Sequence, residues 1–139
     1  MTTATSLLLQ DATIHQVSLI CKDIAQSRKF YAEVLGAQFI VEFDPPGLLF
    51  FRFGSTRLLM DKNGKPGLLY IRVARIDQMV NSLQEKGVEF ETEVQAAFKD
   101  DDGLFGKAGN TECMAFFKDP ADNTLALVEQ KLLQETADA

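Results

Sequence analysis

Residues 14–36 read IHQVSLICKDIAQSRKFYAEVLG, which is a strand, a capped helix and a glycine stop in that order. In Ile14–Cys21, Val17, Leu19 and Cys21 alternate with Gln16, Ser18 and Ile20, the two-residue period of a strand with unlike faces. Asp23 offers a side-chain oxygen to the first unpaired amides of a helix, and Gln26 three positions on can reach back, as in a capping box. Phe30, Tyr31, Val34 and Leu35 recur at three-to-four spacing and make one apolar stripe. Gly36 ends the helix, where a left-handed residue costs glycine little.

Residues 68–87, LLYIRVARIDQMVNSLQEKG, repeat the design. Leu69, Ile71 and Val73 alternate, and Ile76, Met79, Val80 and Leu83 form the helical stripe. Asp77 in the first turn and Lys86 in the last match the helix macrodipole before Gly87 stops it. After each glycine comes a short extended run, Gln38–Glu42 in the first copy and Val88–Glu91 in the second. Two further strands close each copy: Leu48–Phe53 and Arg57–Met60, then Cys113–Phe117 and Thr124–Val128. The order strand, helix, strand, strand, strand is thus given twice, and a self-similarity at this spacing outranks any single motif. Asp44-Pro45-Pro46-Gly47 and Asp119-Pro120-Ala121-Asp122-Asn123 are turns, Gly54-Ser55 is a tight hairpin, and Asp61–Gly67 joins the halves.

The run Ser27–Gly36 (SRKFYAEVLG) and the run Phe116–Leu127 (FFKDPADNTLAL) carry a resemblance to the vicinal oxygen chelate superfamily. That superfamily includes glyoxalase I, bleomycin-resistance proteins, fosfomycin-resistance enzymes and extradiol dioxygenases. The likeness extends over roughly residues 14 to 130. It implies an α+β fold of two βαβββ modules in one chain, eight strands forming curved sheets around a cup. One domain is expected at 13–130, with modules at 13–61 and 67–130, a frayed tail at 1–12 and a C-terminal tail at 131–139 that can extend as a short helix. One fold of this kind hosts many chemistries, so its motifs speak for fold more than for function.

The 139 residues suit one domain with a sizeable core, and a hydrophobic share of 46% is ordinary for a globular chain. A net charge of −6 argues against a nucleic-acid partner, which would need a basic stripe. No apolar run approaches the roughly 20 residues of a membrane span. The first residues carry no Lys or Arg before Lys22, so they lack the charged front of a signal peptide. Cys21 and Cys113 show neither metal nor redox spacing. A cytoplasmic location follows as the expectation.

In catalytic relatives, the resemblance implies, four strands each present one ligand to a divalent metal that polarises adjacent oxygens of the substrate. The first ligand stands seven residues before the capping aspartate, and 23 minus 7 gives Gln16, an amide that some glyoxalase I enzymes use. His15, the only histidine, is one residue off and is expected on the opposite face. The same count from Arg75, which replaces the second aspartate, gives Leu68. The last-strand position is Ala126, where Glu is usual, and its first-half equivalent falls near Leu59. One amide oxygen does not hold a divalent ion. No metal and no cofactor are therefore expected.

The parity that turns Gln16 inward also turns Ser18 inward, and in the second copy it places Tyr70 and Arg72 beside Leu68. Arg52 on the third strand, with Arg57 flanking the fourth, would add guanidinium groups suited to a carboxylate or phosphate; exposed solubilising charges are the alternative for each. Phe98, Phe105, Met114 and Phe116 are available as apolar walls, and Cys113 stands where relatives often have tryptophan. The segment Val94–Asn110 reads as an irregular loop that can cover a pocket mouth. Its Asp100-Asp101-Asp102 run lacks the alternate spacing of a calcium loop. Ser18 and Cys113 lack a base, and Glu112 and Glu129 read as surface charges. The expected ligand-binding set is Gln16, Ser18, Arg52, Tyr70, Arg72, Phe98 and Cys113. The expected function is metal-free binding of a small organic anion by a homodimer of the glyoxalase/bleomycin-resistance type. The alternative is a metal-dependent lyase or isomerase resembling glyoxalase I, with ligands not located.

Overall fold

Each half of the chain folds one apolar sheet face onto one short helix, and the two halves share the core so formed. The computed structural model describes residues 10–133. The first half holds β1 (Gln16–Ile20), α1 (Ile24–Lys29), β2 (Gln38–Phe43), β3 (Leu48–Phe53) and β4 (Thr56–Asp61). The second holds β5 (Leu68–Arg72), α2 (Ile76–Glu85), β6 (Gln95–Asp100), β7 (Asn110–Lys118) and β8 (Thr124–Lys131). The strands form two four-stranded mixed sheets, β1-β4-β3-β2 and β5-β8-β7-β6, not a closed barrel. In both sheets the first strand pairs parallel to the last and the others run antiparallel. The twice-repeated βαβββ order read from the sequence is the observed order.

Alternation decides which side of each sheet is dry. Leu19, Leu49, Phe51, Leu58 and Met60 from the first sheet and Cys113, Ala115, Phe117, Leu125 and Leu127 from the second belong to one continuous core with Tyr31, Ile76 and Leu83 of the helical segments. Burying a side chain of this size contributes about 1.5–3 kcal/mol, so the alternate positions Gln16, Ser18, Arg52, Arg57, Tyr70 and Arg72 are left for the other face. The halves are also joined by a polar knot. Tyr31 donates from its hydroxyl to Asp119 Oδ2 at 2.7 Å, and Asn123 Nδ2 donates to the same oxygen at 2.7 Å. The amides of Ala121 and Asn123 donate to Asp119 Oδ1. Asn123 Oδ1 accepts from the amides of Gly67 and Ile20, on either side of the link between the halves. Burial and the Asp119 carboxylate push the Tyr31 hydroxyl far above its ordinary pKa.

The first helix is capped as its sequence suggests, Asp23 Oδ1 accepting from the Gln26 amide at 2.9 Å. It then widens into a π turn over Phe30–Val34, with Leu35 N donating to Phe30 O, before Gly36 takes φ +75°. The second helix has Arg75 at its cap position and no side-chain cap from it. Glu129 on β8 supplies the missing acceptor, taking the Ile76 amide at 2.8 Å, so it is no mere surface charge.

Two expectations fail in the second half. Val88–Glu91 is not a strand: it makes one isolated bridge, Phe90 to Phe117, and packs Phe90 on that ring at 5.0 Å between centroids. The third strand of the half is Gln95–Asp100, inside the stretch read as irregular loop. It is an edge strand with a bulge between Ala96 and Phe98 and almost no buried side chain. Its sequence therefore carries no two-residue apolar signal. The domain's last strand also runs on through Lys131. Of the two tails, residues 1–9 and 134–139 lie outside the described part of the chain, while Leu132 and Leu133 belong to no element.

Candidate functional site

Cross-strand register sorts the non-core side chains into rows. On the first sheet one row runs Gln16, Arg57, Arg52, Gln38 across β1, β4, β3 and β2. The next row is Ser18, Leu59, Phe50, Val41. On the second sheet the corresponding rows are Leu68, Thr124, Lys118 and then Tyr70, Ala126, Phe116.

The first row is a polar chain. Arg57 donates from Nε to Gln16 Oε1 at 2.7 Å and lies with Nη2 3.1 Å from His15 Nε2. Its guanidinium carbon sits 5.6 Å from the centroid of the Phe50 ring. His15 is therefore not turned away from Gln16: it precedes the first strand residue, so strand alternation does not govern it, and both side chains meet the same arginine. Arg57 was expected as one of the added guanidinium groups and was left out of the ligand-binding set, yet it is the centre of the polar chain. The signal was the parity of β4, in which Leu58 and Met60 are buried and Arg57 and Leu59 share the other side.

The second sheet differs. Leu68 is 50% exposed and Tyr70 54%, whereas Ala126 is fully covered. Tyr70 and Phe116 flank Ala126 in the ladder and meet edge to face at 6.2 Å. Tyr70 and Arg72 also line a cleft of about 480 Å³ at the seam, walled by Ile14 and Val17 from the first half and by Leu69 and Ile71 from the second.

The expected set therefore divides. Gln16, Ser18 and Arg52 share one face of the first sheet, and Tyr70 and Arg72 share the matching parity of β5. Phe98 stands on the β6 edge, its ring edge to face with Phe105 at 5.7 Å between centroids. Cys113 does not join them. It is 3% exposed and packs in the core, on the opposite side of β7 from Met114 and Phe116; burial pushes its thiol pKa up, away from reactivity. The loop after β6 is clipped by Asp100, whose carboxylate accepts from the amides of Leu104 and Phe105 at 2.7 and 2.8 Å. Gln130 donates to the Phe105 carbonyl at 3.1 Å and to Glu112 at 2.9 Å.

A divalent cation does not fit the positions that could have held it. Of Gln16, Leu59, Leu68 and Ala126, three are hydrocarbon, and the oxygen of the fourth is engaged by Arg57. Among the described residues no group of three or more His, Cys, Asp or Glu side chains is placed to bind a metal. What the two faces present instead is guanidinium, amide and hydroxyl groups beside aromatic rings, a combination suited to an anion with an apolar body.

Residues 13–127 match the family described as the Glyoxalase/Bleomycin resistance protein/Dioxygenase superfamily. No curated protein matches the chain. Among solved structures, lactoylglutathione lyase from Agrobacterium tumefaciens superposes with a TM-score of 0.68 at 16% identity, covering 85% of this chain and 93% of that one. The glyoxalase family protein from Enterococcus faecalis gives 0.65 at 24% identity, covering 85% and 98%. A superfamily member from Sphaerobacter thermophilus gives 0.66 at 22%, covering 85% and 97%. At these identities the likeness is one of fold.

Proposed function

The chain belongs to the Glyoxalase/Bleomycin resistance protein/Dioxygenase superfamily, and on that premise we propose that it is a metal-free small-molecule-binding protein that holds an organic anion on its concave faces. The observation that carries this reading is the replacement of metal donors by hydrocarbon at Leu59, Leu68 and Ala126, beside a Gln16 already bonded to Arg57. Gln16, Ser18 and Arg52 meet the ligand from the first sheet and Tyr70 and Arg72 from the second, with Phe98 at the rim. The protein acts as a cytoplasmic homodimer in this reading. Support for pairing comes from the half-exposed apolar side chains Phe43 and Leu68. No helix among the described residues is long and apolar enough to cross a membrane.

Equilibrium dialysis with elemental analysis tests the metal-free part, and a thermal-shift screen of aromatic carboxylates and phosphates tests the binding part. The expected result is far less than one zinc, nickel or manganese per chain, together with stabilisation by at least one anion class. Stoichiometric tightly held metal would overturn the reading. So would metal-dependent turnover of a hemithioacetal that disappears in Gln16→Ala.

A further inference from the structure

Arg57 and Arg52 stand directly opposite each other on the antiparallel pair β3–β4. Like charges so placed have Cβ atoms about 5 Å apart and repel. Neither guanidinium is relieved by a carboxylate: among the described residues the ion pairs are made by Lys22, Arg28, Lys99 and Lys131. Nor is Arg57 a loose surface chain. Gln16 Oε1 holds its Nε, His15 Nε2 meets one Nη, and the Phe50 ring lies beside it. A guanidinium has five N–H donors, and those two contacts leave the rest of the fork free. The arrangement maintains two uncompensated positive charges side by side, with the fork of one already oriented.

We propose that Arg57 and Arg52 form a two-guanidinium clamp for a phosphoryl dianion, the head group of a phosphate monoester, whose organic part lies over Phe50 and Leu59. The proposal rests on the reading of this face as the ligand site and narrows it to one head group. Charge balance favours a dianion, because a carboxylate neutralises only one of the two arginines. Shape favours phosphoryl, because three terminal oxygens allow both forks a two-pronged contact with one oxygen shared, whereas a carboxylate fills a single fork. The adjoining row supplies the apolar floor, Leu59 and Phe50, with Ser18 beside it. His15 is a positioning residue that acts through Arg57, and Gln16, which meets the ligand, also orients that arginine.

Isothermal titration of the full chain with phenyl phosphate, benzoate and inorganic phosphate at low salt tests the clamp. Phenyl phosphate is expected to bind one per chain and at least about 10-fold more tightly than benzoate. Arg57→Gln and Arg52→Gln are each expected to weaken it by about 10- to 100-fold, the range for a hydrogen bond to a charged group. Arg57→Lys, which keeps the charge and loses the fork, falls between, and Lys99→Gln on the β6 edge leaves affinity unchanged; circular dichroism confirms that each variant is folded. Phenyl phosphate binding that survives both glutamine substitutions overturns the clamp. Benzoate bound as tightly as phenyl phosphate, or no binding of phenyl phosphate at all, does the same. If an aromatic carboxylate binds where phenyl phosphate does not, the clamp falls and the wider reading of the site stands. Stoichiometric metal sinks the wider reading, while the arginine variants still judge the clamp.

Discussion

The two halves share one topology and diverge at equivalent positions. Where the first sheet carries Gln16, Arg57 and Arg52 in a row, the second carries Leu68, Thr124 and Lys118. Where the first has Ser18, Leu59 and Phe50, the second has Tyr70 and Phe116 flanking Ala126. The helices diverge as well. In the first half the cap comes from Asp23, one residue ahead of the helix; in the second it arrives from Glu129, 53 residues along the chain. The same order of strands and helix thus carries different side chains on its non-core face, guanidinium and amide groups in the first half and an aromatic pair in the second.

The comparison breaks most forcefully at the joint that makes the halves one body. Asp119 is buried and accepts from Tyr31, from both nitrogens of Asn123 and from the Ala121 amide. Asp119→Ala leaves those donors without a partner and is expected to lower unfolding stability by about 4 kcal/mol. Urea denaturation followed by fluorescence and by far-ultraviolet dichroism checks this, and a loss under 1 kcal/mol would show that the halves do not depend on the knot.

The aromatic half is tested by placing a carboxylate where it has none. Ala126→Glu must fit a charged side chain between Tyr70 and Phe116 at a fully covered position. The expected cost is about 3 kcal/mol, from overpacking and from burying a charge. A thermal melt of this variant close to that of the wild type would mean that the Tyr70–Phe116 pair does not exclude a ligand of that type.

The smallest effect sharpens the difference between the helices. Asp23→Ala removes an exposed local cap and is expected to cost about 1 kcal/mol. Glu129→Ala should cost somewhat more, about 1.5 kcal/mol, because the same carboxylate also stands 3.8 Å from Lys131 Nζ and ties α2 to β8. Chemical denaturation of the two variants in parallel gives the order; equal losses would remove the asymmetry.

Much of this was legible from periodicity. The alternation of Val17 and Leu19, the stripe of Ile76, Val80 and Leu83, and the stops at Gly36 and Gly87 each reflect a local backbone rule, and the observed elements follow them. Val88–Glu91 misled because alternation there serves to seat Val88 and Phe90 on the core without a partner strand, while β6 escaped notice because an exposed edge needs no apolar period. Cys113 could have been set aside from the sequence, since it is out of phase with Met114 and Phe116. The contact of Arg57 with Gln16 could not, because it depends on which strands lie side by side in parallel register, a long-range fact that no local pattern encodes.

The clip at Asp100 has a consequence for the aromatic rim. Backbone donors, the Phe105 amide foremost, hold that carboxyl below its ordinary value of 3.8, against the opposing effect of burial. A group whose acidity is strengthened by folding lends its full grip at every pH above the ordinary value and surrenders it only as acid drives the pH down through the lowered one. Around neutrality the carboxylate thus keeps its hold on the Leu104 and Phe105 amides, and Phe105, edge-on to Phe98, stays moored to the end of the strand that carries Phe98.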